Sequence, residues 1–333
     1  MKTIIYSQSH DLTIPAQIIQ NGGIVACPTE TVYGLCANAL NETAVSNIFK
    51  AKGRPSDNPL IVHIASIDML DQLVKDISPM AQALIDKFWP GPLTLIFNST
   101  NVVPAIVRAG LATVAIRFPS HPIMQILIKQ ANVPIAAPSA NVSGKPSPTN
   151  ARRVIEDMDT KIDAIIDGGS CEFGVESTVV DTTRELPIIL RPGVITAQMI
   201  TEVVGNIKTD SFDKTPISPG MKYTHYSPNA KVIIVTGDNA IKTISNLVKA
   251  NPTAGVLLPQ EYKEQFINIP YISLGSENDL AQIASVLFEK LREVDDLGLE
   301  SVYTIYLPQV DIGEAIMNRL IKACGNNIIF AGG

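Results

Sequence analysis

The chain has 333 residues, of which 46% are hydrophobic and 17% charged. That length is long for one compact core and that balance excludes a disordered chain, so two folded domains are expected. A formal net charge of −6 excludes a protein that coats nucleic acid by bulk charge, while a local basic pocket is still allowed.

Cys27, Cys36, Cys171 and Cys324 form no C-x-x-C pair, and His10, His63, His121 and His225 are equally dispersed. No metal-ligand spacing arises, and structural disulfides are not expected. The first residues, MKTIIYSQSHDLTIPAQ, carry no long apolar core and no small-residue cleavage signal. No apolar run reaches the roughly 18 residues of a membrane span. A cytoplasmic protein without a membrane partner is expected.

In chain order, DLTIPAQIIQNGG reads as a helix stopped by Gly22 and Gly23, and IVACP as a short buried strand. Next comes KAKGRPSDNPLIVHI, residues 50–64, which gathers Lys50, Lys52 and Arg54, stiffens with Pro55 and Pro59, and enters a strand at PLIVHI. Two readings fit these residues. One is a solvated loop; the other is a rigid cradle holding cations against something negative. The spacing is not that of the common phosphate loop. SPMAQALIDKFWP then reads as a helix with Ser78 as N-cap, Pro79 in its first turn and Pro90 beyond its end. GPLTLIF, TVAIRFP, VPIAAPSA, AIIDGG, STVVD and PIILRPG read as strands, which predicts a mixed, twisted α/β sheet with helices packed on it.

Between about Val204 and Asn229 the texture turns polar and proline-bearing, without helical or strand period. Domains at 1–204 and 230–333, with 205–229 as linker, follow from this. From Lys231 strands alternate with helices (KVIIVTG, AGVLLP, YISLG, a helix over about 277–297, VYTIYLP, a last helix ending near Cys324), which predicts a small, mostly parallel α/β domain.

Ligands of α/β sheets gather where strands end. Those positions here carry Thr29, Glu30 and Thr31 after IVACP, His63 in PLIVHI, and Thr113 with Arg117 on one face of TVAIRFP. Ser139, Asn141 and Ser147 follow in AAPSANVSGKPSPT, then Ser177 in GVESTVVD and Arg191 in ILRPG. Each has a local alternative: turn capping for the hydroxyls and Asn141, a core hydrogen bond for His63, structural carboxylates for the arginines. Together they are cationic and hydroxyl-rich, with few carboxylates and no Ser-His-Asp or Cys-His set. That chemistry suits phosphates and a small zwitterion better than nucleophilic catalysis.

At these residues the chain resembles a known family. KGRPSDNPL followed much later by SAN (Ser139 to Asn141), with PTETVYGL, WPGPLTLIF, ESTVVD and LRPG in order, is similar to the YrdC-type catalytic domain of the threonylcarbamoyl-AMP synthases. SPGMKYTHYSP (Ser218 to Pro228) resembles the linker of their longer, two-domain members. The resemblance implies a twisted, mostly open sheet with a large concave positive cavity, linked to a smaller Rossmann-like domain. It implies nucleotidyl transfer, in which L-threonine, bicarbonate and ATP give threonylcarbamoyl-AMP and pyrophosphate. The product would serve a downstream transferase complex that modifies tRNA.

The same resemblance assigns Lys52 and Arg54 to catalysis. It assigns ATP to these two with Asn58, Thr113, Ser139, Asn141, Ser147, Arg191 and Tyr226, and L-threonine to Thr31, His63, Arg117 and Ser177. Mg²⁺ would arrive on the ATP phosphates, with no protein ligand nameable. The linker, with Pro216, Pro219, Gly220 and Pro228 around Met221, Lys222, Tyr223, His225 and Tyr226, reads as a lid over the cavity. A module binding double-stranded RNA or tRNA, and a carbamoyltransferase using another donor, are the competing readings. Direct tRNA contact is allowed but not required.

Overall fold

Short apolar strands and amphipathic helices make up the chain, and several helix ends are set by Gly, Pro or a capping side chain. The computed structural model describes residues 2–7, 11–209, 226–325 and 327–332. Chain contacts divide it into two units, Met1–Ser143 with Pro148–Lys222, and Gly144–Ser147 with Tyr223–Gly333.

The first unit runs β1 (Ile4–Ser7), α1 (Thr13–Gln20), β2 (Val25–Cys27), β3 (Gly34–Asn38), α2 (Glu42–Lys52), β4 (Ile61–His63), α3 (Pro79–Phe88), β5 (Leu93–Asn98), β6 (Thr113–Arg117), α4 (Pro122–Ala131), β7 (Ile135–Ala136), α5 (Ala151–Met158), β8 (Ala164–Asp167), β9 (Thr178–Asp181), β10 (Ile188–Arg191), α6 (Ala197–Val204) and β11 (Lys208–Thr209). Among the described residues these strands form one eleven-stranded sheet in the order β1-β8-β2-β3-β7-β4-β6-β5-β9-β10-β11. It mixes parallel pairs, such as β4 with β6, and antiparallel ones, such as β5 with β6. Successive residues face opposite sides of a strand. Ala26, Leu35 and Ala37 therefore enter one apolar cluster, and Val25, Cys27 and Cys36 enter another.

Strand direction sets where polar ends meet. β4 and β6 run parallel and finish side by side, His63 being the register partner of Arg117. β5 runs antiparallel to β6 and places Thr94, near its start, opposite Arg117. β9 runs parallel to β5 and starts at Thr178, just after Ser177, while antiparallel β10 finishes at Arg191. Five adjacent strands thus bring His63, Arg117, Thr94, Ser177 and Arg191 to one end of the sheet.

The basic stretch is only partly a loop. Its first residues complete α2, and Gly53, at φ 62, ends that helix in the left-handed region. Ala44, Ile48 and Lys52 lie four apart, which aligns them on the buried face of α2. Lys52 is therefore directed inward by helical phase. At the other end, the Asn41 side chain accepts hydrogen bonds from the backbone N–H groups of Thr43 and Ala44. Asn41→Ala should cost about 1 kcal/mol, read as a lower denaturant midpoint at unchanged slope, and an unchanged midpoint would remove the cap from the account.

The second unit runs β12 (Lys231–Thr236), α7 (Ala240–Ala250), β13 (Ala254–Leu258), β14 (Tyr271–Ser273), α8 (Leu280–Asp296), β15 (Ser301–Ile305), α9 (Gly313–Cys324) and β16 (Ile328–Phe330). Its sheet order is β14-β13-β15-β12-β16, and every pairing is parallel. Strands covered on both faces read as unbroken apolar runs, as VIIV and GVLL do. Segment 144–147 belongs here through Arg292, whose Nε and Nη2 donate to the Pro146 carbonyl at 3.1 and 2.7 Å, and Ser227, whose N–H donates to that of Gly144.

Two expectations change. Lys208–Thr209 pairs with β10, so the first linker residues include a short strand, and β16 follows the helix expected to be last. Of the residues expected to form a lid, Pro216, Pro219, Gly220, Met221, Lys222, Tyr223 and His225 lie outside the described residues. Among the described residues no helix is long and apolar enough to cross a membrane.

Candidate active site

Lys52 joins the basic stretch to the S-x-N turn. Its Nζ donates to the carbonyls of Ser139 and, at 2.8 Å, of Asn141. The Ser139 hydroxyl donates to Asn141 Oδ1 at 2.5 Å, and the Ser143 N–H donates back to the Lys52 carbonyl at 3.0 Å. Asp157, itself buried, accepts from the Val142 N–H at 3.2 Å. Two segments distant in sequence are thus locked into one piece. Lys52 is not the mobile point charge that a loop lysine would be. Burial, and after it the charge of Arg54, pull its amine from an ordinary 10.5 down to about 7, against the opposing pull of Asp157 and Glu176.

Arg54 closes the turn that follows. Its Nη2 donates to the carbonyl of fully buried Asn58 at 3.2 Å, and its guanidinium lies 5.8 Å from the Phe49 ring centroid. The short turn holds it close to its own helix.

A second set surrounds Arg117. Nη1 donates to Thr31 Oγ1 at 2.9 Å, Nε to the Gly91 carbonyl at 3.4 Å, and Nη2 stands 2.7 Å from Glu30 Oε1. Burial alone would raise the Glu30 carboxyl, but the charge and hydrogen bonding of Arg117 outweigh it and the net shift is downward. His63 beside them is 2% exposed, and its Nδ1 has no hydrogen-bond partner. Burial, then the Arg117 charge, push its imidazole down to about 3, so it is neutral near pH 7.

The third set is Ser177 with Arg191. Arg191 donates from Nε to the Ser177 carbonyl at 3.0 Å and from Nη2 to its hydroxyl at 3.1 Å. That hydroxyl also shares a hydrogen bond with Thr94 at 2.8 Å. Since Thr94 faces Arg117 across β5 and β6, the second and third sets adjoin.

The remaining expected residues are placed differently. Thr113 is half-buried at the start of β6, four residues or roughly 13 Å along the strand from Arg117. Ser147 is buried within the second unit. Tyr226, also in that unit, is buried with its ring stacked 5.0 Å from that of Phe288. Two residues that the sequence reading did not name take part, Thr94 and Asp157, and Glu30, named there without a role, joins them. Glu30, a carboxylate just after IVACP, is the ion-pair partner of Arg117. A signal was available for Thr94, a hydroxyl inside the apolar run LTLIF.

Residues 17–193 match the Sua5–YciO–YrdC family, described as telomere recombination. Residues 195–325 match the threonylcarbamoyl-AMP synthase C-terminal domain. The threonylcarbamoyl-AMP synthase of Pyrococcus abyssi is 45% identical over 335 residues, covering 96% of this chain and 95% of that protein. That of Bacillus subtilis is 45% identical over 322 residues, covering 94% and 93%. The crystal structure of P. abyssi Sua5 complexed with L-threonine matches with a TM-score of 0.93 at 43% identity, over 99% of this chain and 100% of that one. E. coli YciO shares the fold at a TM-score of 0.52 and 22% identity, over 58% of this chain and 96% of its own. The motifs, the sheet and the full-length relatives converge: the chain belongs to the two-domain threonylcarbamoyl-AMP synthase family.

Proposed function

We infer that this chain joins L-threonine, bicarbonate and ATP into threonylcarbamoyl-AMP, releasing pyrophosphate. The threonine amine and bicarbonate condense to a carbamate with loss of water, and the carbamate oxygen then attacks the α-phosphate of ATP while pyrophosphate leaves. An anion thereby meets a polyanion, and fixed cations lower the barrier by offsetting the repulsion and the charge growing on the phosphoryl oxygens. Lys52 and Arg54 are proposed for that task. Asn58, Thr113, Ser139, Asn141, Ser147, Arg191 and Tyr226 are proposed to hold the nucleotide, and Thr31, His63, Arg117 and Ser177 to hold threonine. The observation that carries the reading is the lock between Lys52 and the backbone carbonyls of the Ser139–Asn141 turn, which holds the amine beside the Ser139 and Asn141 side chains.

Mg²⁺ enters this reading as part of the ATP substrate. Among the described residues no group of three or more His, Cys, Asp or Glu side chains could hold a metal ion. An ion carried by phosphates needs few protein ligands. Action in the cytoplasm, supply to a tRNA-modifying transferase, and any direct contact with tRNA belong to the same proposal.

Omitting substrates one at a time tests it. Pyrophosphate release should require ATP, L-threonine and bicarbonate together; release that ignores threonine would overturn the reading.

Lys52 adds a pH signature. With its amine at about 7, the empty site is only partly charged at neutral pH, and bound phosphates would draw a proton onto it. ATP binding should take up protons near pH 7 and weaken as pH rises further, measured by calorimetry in buffers of different ionisation heat. Binding without proton uptake would contradict a Lys52 contact with phosphate. The folding linkage has a definite sign. Between about 7 and 10.5 the unfolded chain binds the extra proton, so the Lys52 contribution to stability improves as pH climbs through that window.

A further inference from the structure

Arg292 has no task in the reading above. It lies on α8, 5% exposed, and spends two charged donors on one neutral acceptor, the Pro146 carbonyl, at 3.1 Å from Nε and 2.7 Å from Nη2. Burying a guanidinium carries a desolvation cost, and a two-pronged charged contact holds its acceptor firmly. The acceptor belongs to the peptide that joins Pro146 to Ser147. In the run KPSP the ring of Pro146 fixes its own φ, and Pro148 restricts Ser147 to extended backbone. The freedom left to Ser147 is rotation of that one peptide plane, and Arg292 grips it.

Phe288 lies four residues before Arg292 on the same buried face of α8. Its ring stacks 5.0 Å from that of Tyr226, whose φ of 66 is left-handed and rare for an aromatic residue. Such a conformation persists where the surroundings impose it. Here the Phe288 ring does so together with Ser227, whose hydroxyl donates to the Ala323 carbonyl and whose N–H donates to that of Gly144, both at 2.9 Å. One face of α8 therefore fixes both residues of the second unit that are proposed to hold the nucleotide.

We propose that Arg292 is a positioning residue for ATP: it orients Ser147 through the Pro146 carbonyl, so the second unit sets nucleotide affinity without lending α8 to the chemistry. The proposal rests on the reading that Ser147 contacts ATP. Calorimetry on the full-length protein tests it, with MgATP and L-threonine as separate ligands. Arg292→Met keeps an apolar stem and removes the fork, and it should weaken ATP binding by about 10-fold, the scale of one hydrogen bond. Threonine binding should not move. A lower melting temperature with ATP affinity unchanged would make Arg292 a structural support and overturn the proposal, as would equal losses for both ligands. Action through Ser147 also predicts non-additivity: in a Ser147→Ala protein, Arg292→Met should cost ATP little further affinity, and a second full loss would overturn the proposal. If the Met variant does not fold, Arg292→Lys keeps the charge without the fork, and a smaller loss confined to ATP is expected. Unchanged ATP affinity in that folded variant would again overturn it. A wild-type protein that binds no ATP, or a Ser147→Ala protein that binds it as before, would instead overturn the nucleotide reading underneath.

Discussion

Replacing Lys52 with Ala should reduce pyrophosphate release by on the order of hundreds-fold while the chain remains folded. The side chain does two things at once. It carries charge toward the proposed phosphate site, and its Nζ holds the Ser139 and Asn141 carbonyls. Removing it frees the turn that presents Ser139 and Asn141, so nucleotide affinity should fall along with turnover. Each carbonyl left without a partner costs roughly 1–3 kcal/mol. Against this stands the penalty of a buried amine, already visible in its fall to about 7. The two oppose each other, and net stability should change less than activity. Turnover close to wild type in a folded Lys52→Ala protein would show that the lock is not part of the chemistry.

Arg117→Lys should weaken L-threonine binding by about 10- to 100-fold and leave ATP binding nearly unchanged. The guanidinium reaches Thr31, Gly91 and Glu30 from three different nitrogens, and a single ammonium cannot reproduce that fork. The lysine still neutralises Glu30, so the fold should survive. Arg117→Ala is the harsher change. It strands a buried carboxylate, an event worth roughly 3–5 kcal/mol of destabilisation. Thermal melts should therefore separate Ala from Lys clearly, while calorimetry separates threonine from ATP. Equal losses for both ligands in the Lys variant would assign Arg117 to structure alone.

Much of the fold was legible because its signals are local. Apolar runs bounded by Gly and Pro mark β5, β6, β12 and β13, and Ser78 with Pro79 announces α3, where Ser78 indeed caps the Ala81 N–H. The strand GLCAN of β3 was hidden, since Gly, Ala and Asn have little strand preference and its hold comes from β2 and β7 on either side. Helix α2 is hard to see in the sequence because Gly53, Pro55 and Pro59 follow its basic end closely, so Lys50 and Lys52 read as loop residues although a spacing of four turns Lys52 inward.

At the site, residue types carried the message and pairings did not. The motifs marked Lys52, Ser139 and Asn141, yet nothing local says that one amine binds two carbonyls of a distant turn. Glu30 stood in plain view within PTETVYGL, but its partner lies at the end of β6, and only the sheet brings them together. The assignment of Ser147 and Tyr226 to ATP came from the resemblance alone. Within the second unit Arg292 fixes the turn before Ser147, and Phe288 stacks on Tyr226, contacts that no motif encodes.

The measurement that bears most directly on the account follows atoms into the product. Purified protein is given MgATP with isotopically labelled L-threonine and labelled bicarbonate, and the adenylate is identified by mass while pyrophosphate is counted. One adenylate carrying both labels should form for each pyrophosphate released, and none should form when either labelled substrate is withheld. Pyrophosphate without a doubly labelled adenylate, or an adenylate lacking the bicarbonate carbon, would contradict it.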